Sequence, residues 1–203
     1  MLYMEEIFSI SEDGKELLKC SPQAMGLIKI PEGIETIKCN AFENCCDIEG
    51  VVIPSSVNEI EQNAFYNCIN LKTISIPDSI NVIPTRCFEN CIELTKVELP
   101  STITKISYNA FCNCYNLIDI IISDIVTEIG SSAFQNCSNL CKIQIPDSVI
   151  EIGSSAFEGC RNLVSITVSQ KITYINYNTF RGCELLNKIW IPKNVISIGS
   201  EAF

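Results

Sequence analysis

The chain has 203 residues, 47% of them hydrophobic and 19% charged, with a net charge of −10 at neutral pH. That balance describes a folded chain with enough length for one sizeable core, and it excludes a disordered one. The acidic surplus argues against general binding to nucleic-acid phosphates and against attraction to anionic membrane surfaces.

The first residues, Met1-Leu2-Tyr3-Met4-Glu5-Glu6, carry no basic stretch and no long apolar run, so no secretory signal is expected. No segment reaches the roughly 18 apolar residues of a membrane span. Even Ile118 to Ile122 is broken by Asp119. Further on, Phe8-Ser9-Ile10 and Leu17-Leu18 flank a polar stretch containing Asp13-Gly14. Asp-Gly between apolar runs predicts a hairpin, because glycine accepts the positive φ of a tight turn. Residues 1–26 are therefore read as an N-terminal hairpin cap. Its acidic residues Glu5, Glu6, Glu12, Asp13 and Glu16 turn to water. The alternative is an acidic docking arm.

From residue 27 to residue 203 one unit repeats. Phe42, Phe65, Phe88, Phe111, Phe134, Phe157, Phe180 and Phe203 stand 23 residues apart with no insertion or deletion. Strict periodicity of this kind predicts a solenoid of stacked units, counted as one domain. The unit stops at Phe203, in mid-repeat, so either the sequence is a piece of a longer chain or a separate element covers Phe203.

Within the unit three legs can be told apart. Nine residues after each Phe stand Val51, Ile74, Val97, Ile120, Ile143, Ile166 and Ile189, and two further on Ile53, Ile76, Leu99, Ile122, Ile145, Val168 and Ile191. Alternate β-branched positions predict a short strand with one buried face. Pro54, Pro77, Pro100, Pro146 and Pro192 follow at once and fit a strand end, since proline has no N–H for a ladder. Ser123 and Ser169 take that place in two units. A V-x-x-I step, such as Val126 to Ile129, predicts a second extended or turn segment pointing inward. The third leg holds a small residue before the Phe, which lets it pack closely. Two residues after the Phe stand Asn44, Asn67, Asn90, Asn113, Asn136, Gly159 and Gly182. Asn and Gly tolerate left-handed backbone, so a short helical turn is expected to end there with positive φ.

Thirteen cysteines invite a disulfide or metal reading. Seven of them, Cys45, Cys68, Cys91, Cys114, Cys137, Cys160 and Cys183, share one repeat position. Stacking would place them in a ladder roughly 5 Å apart, where free thiols serve as small buried hydrophobes. Parallel Cβ vectors suit a disulfide poorly. Cys45-Cys46 and Cys112-x-Cys114 are weak metal signals in a chain without histidine. The same lack removes Ser-His-Asp and Cys-His nucleophile systems. No Gly-rich phosphate loop is present and the carboxylates are scattered, so no enzyme, no cofactor and no metal is expected. Asn136-Cys137-Ser138 matches a glycosylation signal, but it coincides with the repeat's own Asn position.

The unit I-x-x-I-x-x-x-A-F-x-N-C-x-x-L-x-x-I-x-I-P resembles the BspA-type leucine-rich repeat, over residues 27–203. The resemblance implies an α/β fold: a right-handed leucine-rich-repeat solenoid or horseshoe, with a parallel β-sheet on the concave side and short helical turns on the convex side. It also implies a surface antigen or adhesin that binds host or matrix proteins at the cell surface or outside it, with no catalytic residues. The alternative is a cytoplasmic interaction scaffold, which the missing signal and missing span favour.

Strand residues that do not point inward would line the outer sheet face in two lanes. One reads Leu27, Gly50, Thr73, Lys96, Asp119, Lys142, Ser165, Lys188; the other reads Lys29, Val52, Ser75, Glu98, Ile121, Gln144, Thr167, Trp190. The core repeats while the lanes vary, as a recognition face on a fixed scaffold requires. Candidate contacts to a protein ligand are Trp190, Lys188, Gln144, Lys142, Ile121, Glu98, Lys96 and Val52. Trp190, the single tryptophan, is either an interface anchor or a residue packed against a following coil. No nucleic-acid partner and no membrane insertion is expected, and the oligomeric state stays open.

Overall fold

The computed structural model describes residues 7–203. The readings placed on Met1 to Glu6, namely the absent secretory signal and the Glu5 and Glu6 water-facing residues, lie outside the described residues.

Phe8–Ile10 and Glu16–Cys20 form an antiparallel hairpin, with Gly14 at φ 75° in the connecting turn. Its second strand then pairs in parallel with Thr36–Ile37, which joins the hairpin to the coils that follow. Each 23-residue unit after it is one coil of a solenoid, and the coils stack through parallel ladders.

The first leg supplies the strands Met25–Lys29, Asp47–Val52, Thr73–Ser75, Lys96–Glu98, Lys142–Gln144, Ser165–Thr167 and Lys188–Trp190. Their register repeats the sequence period: Val51 lies opposite Ile74, which lies opposite Val97. Ile143, Ile166 and Ile189 align in the same way. The centre residue of nearly every one of these strands is buried and its flanks are exposed, so the alternation in the sequence is the alternation of the pleat.

The second leg is a narrower parallel ladder of two-residue strands, including Lys105–Ile106, Glu128–Ile129 and Glu151–Ile152. This is the inward V-x-x-I step. The ladder is broken twice, between Glu59–Ile60 and Val82–Ile83 and between Glu151–Ile152 and Tyr174–Ile175. Pro84 explains the first break: it occupies the position from which Glu61 and Ser107 donate their N–H to the carbonyls of Ile37 and Ile83. Proline has no N–H to give.

The third leg corrects one expectation. It contains no helical turn on the side away from the sheet; it is a run of consecutive tight turns. The positive φ does fall at all seven positions two residues after the Phe, from 60° at Asn44 to 71° at Gly159. A second left-handed column stands two residues before the Phe, at Asn40, Asn63, Arg86, Asn109, Ser132, Ser155, Asn178 and Glu201, with φ between 52° and 58°. Left-handed residues four apart leave no room for a right-handed helix. The donors follow suit. The N–H of Phe42 goes to Ala64 of the next coil at 2.7 Å, and that of Asn44 to Tyr66 at 3.0 Å. The intervening N–H groups of Ala41 and Glu43 close turns on Lys38 and Asn40. Alternate donors thus serve the neighbouring coil, and the i to i−4 pattern of a helix cannot form.

Inside, the phenylalanines form one column. Ring centroids from Phe42 to Phe203 are 4.8 to 5.7 Å apart and nearly parallel, and Phe8 meets the first ring edge-on at 6.2 Å. Beside them runs the thiol column. All thirteen cysteines are free. Cys68, Cys91, Cys114, Cys137, Cys160 and Cys183 each donate S–H to the Phe carbonyl of the preceding coil, at 3.0 to 3.2 Å. The packing role inferred from the sequence therefore carries a hydrogen bond as well. The asparagines make a third column. Asn113 donates from its amide to Asn90, and Asn136 to Asn113, both at 2.8 Å. The half-buried Asn136 amide is committed to that ladder, which is why a glycan there would break the stack.

Candidate protein-recognition face

The long sheet places the two lanes side by side on one exposed face. Lys96, Glu98, Lys142, Gln144, Lys188 and Trp190 are the outward residues of three-residue strands whose centres point inward. Val52 is 46% exposed, Ile121 79% and Trp190 70%. All eight residues named from the sequence therefore lie on this face. Trp190 stands opposite Thr167, and Lys188 opposite Ser165, at the far end from Val52.

The face is not uniform. The sheet divides into two arcs, one from Met25 to Glu98 and one from Lys142 to Trp190. Between them only Asp119 is bridged, to Lys96 on one side and Lys142 on the other. Residues 120–122 leave the ladder, and Ile121 stands out between two shallow depressions. One is lined by Lys96, Glu98, Leu99 and Ile118. The other is lined by Lys142, Gln144, Asp124 and Thr167.

The sequence of this coil departs from that of its neighbours just past the gap. In three earlier coils a hydroxyl past the proline, from Ser56, Ser79 or Thr102, donates to a carbonyl of the coil before. In the Phe111 coil that position is Ile125, which is exposed. Ser123 takes over the bond, reaching the Ile103 carbonyl at 3.1 Å from the place where its neighbours carry proline. The hydrogen bond is kept by a residue two positions earlier, and Asp119 still bridges in register to Lys96 and Lys142. Sequence reasoning noticed Ser123 as a departure from proline but not the matching change at Ile125.

Charge on the face opposes that of the chain. The two lanes hold Lys29, Lys96, Lys142 and Lys188 against Glu98 and Asp119, a surplus of cations on a protein with net charge −10. Lys96 is spent on Glu98 at 2.6 Å. Among the described residues, Lys142 and Lys188 have no carboxylate within 4 Å. An exposed pair such as Lys96–Glu98 contributes little to stability.

The sequence's weak metal signals come apart in space. Cys114 and Cys45 point into the core, whereas Cys112 turns toward Gln135 and Cys46 toward the Asn67 carbonyl. Each pair therefore splits across the chain and does not converge. Among the described residues no helix is long and apolar enough to cross a membrane.

Stacked 23-residue coils, a parallel sheet on one leg and a continuous Phe column define a leucine-rich-repeat solenoid. The chain belongs to the BspA-type leucine-rich-repeat family: it matches the family described as BspA type leucine rich repeat region, in six copies, over residues 21–128 and 104–203. Among solved structures it is similar to a leucine-rich repeat protein from Bacteroides ovatus, at 30% identity and a TM-score of 0.83, over 94% of this chain and 52% of that one. The chain thus spans about half the length of that relative. It is also similar to a T. pallidum leucine-rich repeat protein, at 26% identity and a TM-score of 0.72, over 98% of this chain and 86% of that one. The fold is shared with a leucine-rich cell surface protein from Faecalibacterium prausnitzii, at 24% identity and a TM-score of 0.66, over 100% of this chain and 73% of that one. No curated protein matches the chain.

Proposed function

We propose that the chain is a non-enzymatic binding scaffold of the surface-antigen and adhesin kind, displayed at a cell surface, which holds a protein partner on its long sheet face. One observation carries the reading: the core positions repeat coil after coil, while the lanes above them change at every coil and expose Val52, Ile121 and Trp190 among unpaired lysines. Selection for packing alone would leave such lanes polar and interchangeable. Buried aromatic and aliphatic anchors with a polar surround are what protein interfaces use.

The sheet lies on the concave side of a right-handed coil. The likeness to a leucine-rich repeat protein from Bacteroides ovatus supports this placement. The right hand is the usual one for parallel crossovers.

The likeness to a leucine-rich cell surface protein supports the location. The thirteen free thiols favour a second reading, an interaction scaffold of the same fold held in a reducing interior.

A photo-cross-linking side chain at Gln144, on the sheet face, tests the function against one at Glu59, on the second leg. In cells that make the protein, Gln144 is expected to yield a discrete adduct with a protein partner and Glu59 none. Trp190→Ala should weaken that partner's binding by about 1 kcal/mol or more. Equal adducts from both positions, or none from Gln144, would remove the sheet face from the function.

A further inference from the structure

Cys45 opens the thiol column, and its S–H meets a different neighbour from the rest. In the six later coils the thiol donates to the Phe carbonyl of the preceding coil at 3.0 to 3.2 Å. No repeat Phe precedes the Phe42 coil. The Sγ of Cys45 instead lies 3.6 Å from the Ser21 carbonyl oxygen and 3.8 Å from that of Cys20. The Sγ of Cys20 lies 3.7 Å from the same Ser21 oxygen. Two fully buried thiols thus converge on one carbonyl, both at longer range than in the six later coils. They arrive from different directions. Cys20 ends the second strand of the hairpin, opposite Phe8, and its N–H donates to the Ala41 carbonyl at 2.6 Å, which sets it against the Phe42 coil. It stands 25 residues before Cys45, not one repeat, so it is not a rung of the ladder. The parallel Cβ vectors that suit a disulfide poorly along the column are therefore absent at this pair.

We propose that Cys20 and Cys45 form a redox clasp, which a small-molecule disulfide oxidises to one disulfide bond that locks the hairpin onto the first coil, while the deeper rungs stay as thiols. The hairpin meets the coils through a short ladder, Glu16 to Thr36 and Leu17 to Ile37, and through backbone bonds such as Lys38 to Leu17. An end unit held in this way opens more easily than the middle of a stack, and opening brings the pair to solvent. Cys45 is the attacking sulfur. The Cys20 S–H turned toward it, with the Lys19 cation nearby, holds the Cys45 thiol below its ordinary value against the opposing effect of burial, whereas Cys20 is pushed up. The thiolate is the nucleophile in thiol–disulfide exchange. Cys45 bonds to one sulfur of the incoming disulfide and expels the other as a thiol, leaving a mixed disulfide. Cys20 then gives up its proton, its sulfur bonds to that of Cys45, and the second thiol leaves. The protein pair loses two electrons and two protons, and the small disulfide takes them up as two thiols. The deeper rungs do not compete, because burial pushes Cys68, Cys91 and Cys114 up and the coils on both sides enclose them. The bond excludes the opened states of the cap.

To test the clasp, the reduced full chain is treated with glutathione disulfide, the remaining thiols are alkylated in denaturant, and the digested product is mapped by mass spectrometry. Two of the thirteen thiols are expected to escape alkylation, in one bond between Cys20 and Cys45. The oxidised protein should melt about 5–10 °C above the reduced one, and dithiothreitol should remove the gain. Cys20→Ala takes away the second thiol, so the same treatment should leave its melting temperature unchanged. Alkylation of all thirteen thiols, a bond to Cys39 or Cys46 in place of this one, or a bond between deeper rungs would overturn the proposal. So would a Cys20–Cys45 bond that leaves the melting temperature where it was. The wild-type map decides the pairing without the variant, so a Cys20→Ala chain that fails to fold does not shield the proposal. Cross-linking from Gln144 reads the sheet face separately, and neither result alters the other.

Discussion

Replacing Phe111 with alanine is expected to lower the unfolding free energy by about 3–5 kcal/mol. Phe111 is fully buried and lies between Phe88 at 5.3 Å and Phe134 at 5.4 Å. Its removal leaves a void in the middle of a column and weakens two coil interfaces together. Solenoid stability is a sum of coil and nearest-neighbour terms, so a defect in the centre divides the stack where an end defect would only shorten it. Ile121→Ala in the same coil is the contrast. Ile121 is 79% exposed, and its loss should change stability by no more than about 0.5 kcal/mol. Urea unfolding of the two variants checks the pair. A Phe111→Ala loss below 1 kcal/mol would mean that the ring column does not hold the coils together.

The second large effect is alkaline unfolding. Burial pushes the thiols of Cys68, Cys87, Cys91, Cys114, Cys137 and Cys160 above their ordinary value of 9.0. Burial also raises Cys112 and Cys183 to about 12. The hydrogen bonds to Phe carbonyls act on the neutral thiol, which is the donor. In the unfolded chain the same thiols lose their protons near the ordinary value. Above that pH the unfolded state binds fewer protons than the folded one, so stability falls as pH rises. Below it the thiols contribute no slope. Each thiol removes up to about 1.4 kcal/mol per pH unit, and eight together remove up to about 11 per unit, comparable to the whole stability of an ordinary domain. With reductant present, the melting temperature is expected to hold steady up to about pH 9 and to collapse over the next one to two units. A melting temperature that stays level through pH 10.5 would show that the column is open to solvent.

How much of this was legible in the sequence depends on the kind of position. Phe111, Cys114 and Ile120 are read easily because a packed interior accepts few side chains, so the same residue returns each time the chain returns. The left-handed column at Asn44 to Gly182 was legible for a related reason, since only Asn and Gly occur there. Its partner at Asn40 to Glu201 was not. Arg86, Ser132 and Glu201 adopt φ of 52° to 55° although nothing in their chemistry favours it. The ladder bonds from the neighbouring coils impose that backbone, and the expected helical turn was lost for the same reason. The paired change at Ser123 and Ile125 was not legible, because reading each coil against a consensus hides such a pair. The face itself was legible as variation.

In the proposed role the sheet face meets its partner outside the cell, and protease shaving of intact cells that make the protein tests this most directly. Peptides of this chain should be released without lysis, those from exposed turns first, while a cytosolic marker stays protected. Release of its peptides only after lysis would contradict surface display and place the same scaffold, with its reduced thiols, among interior partners.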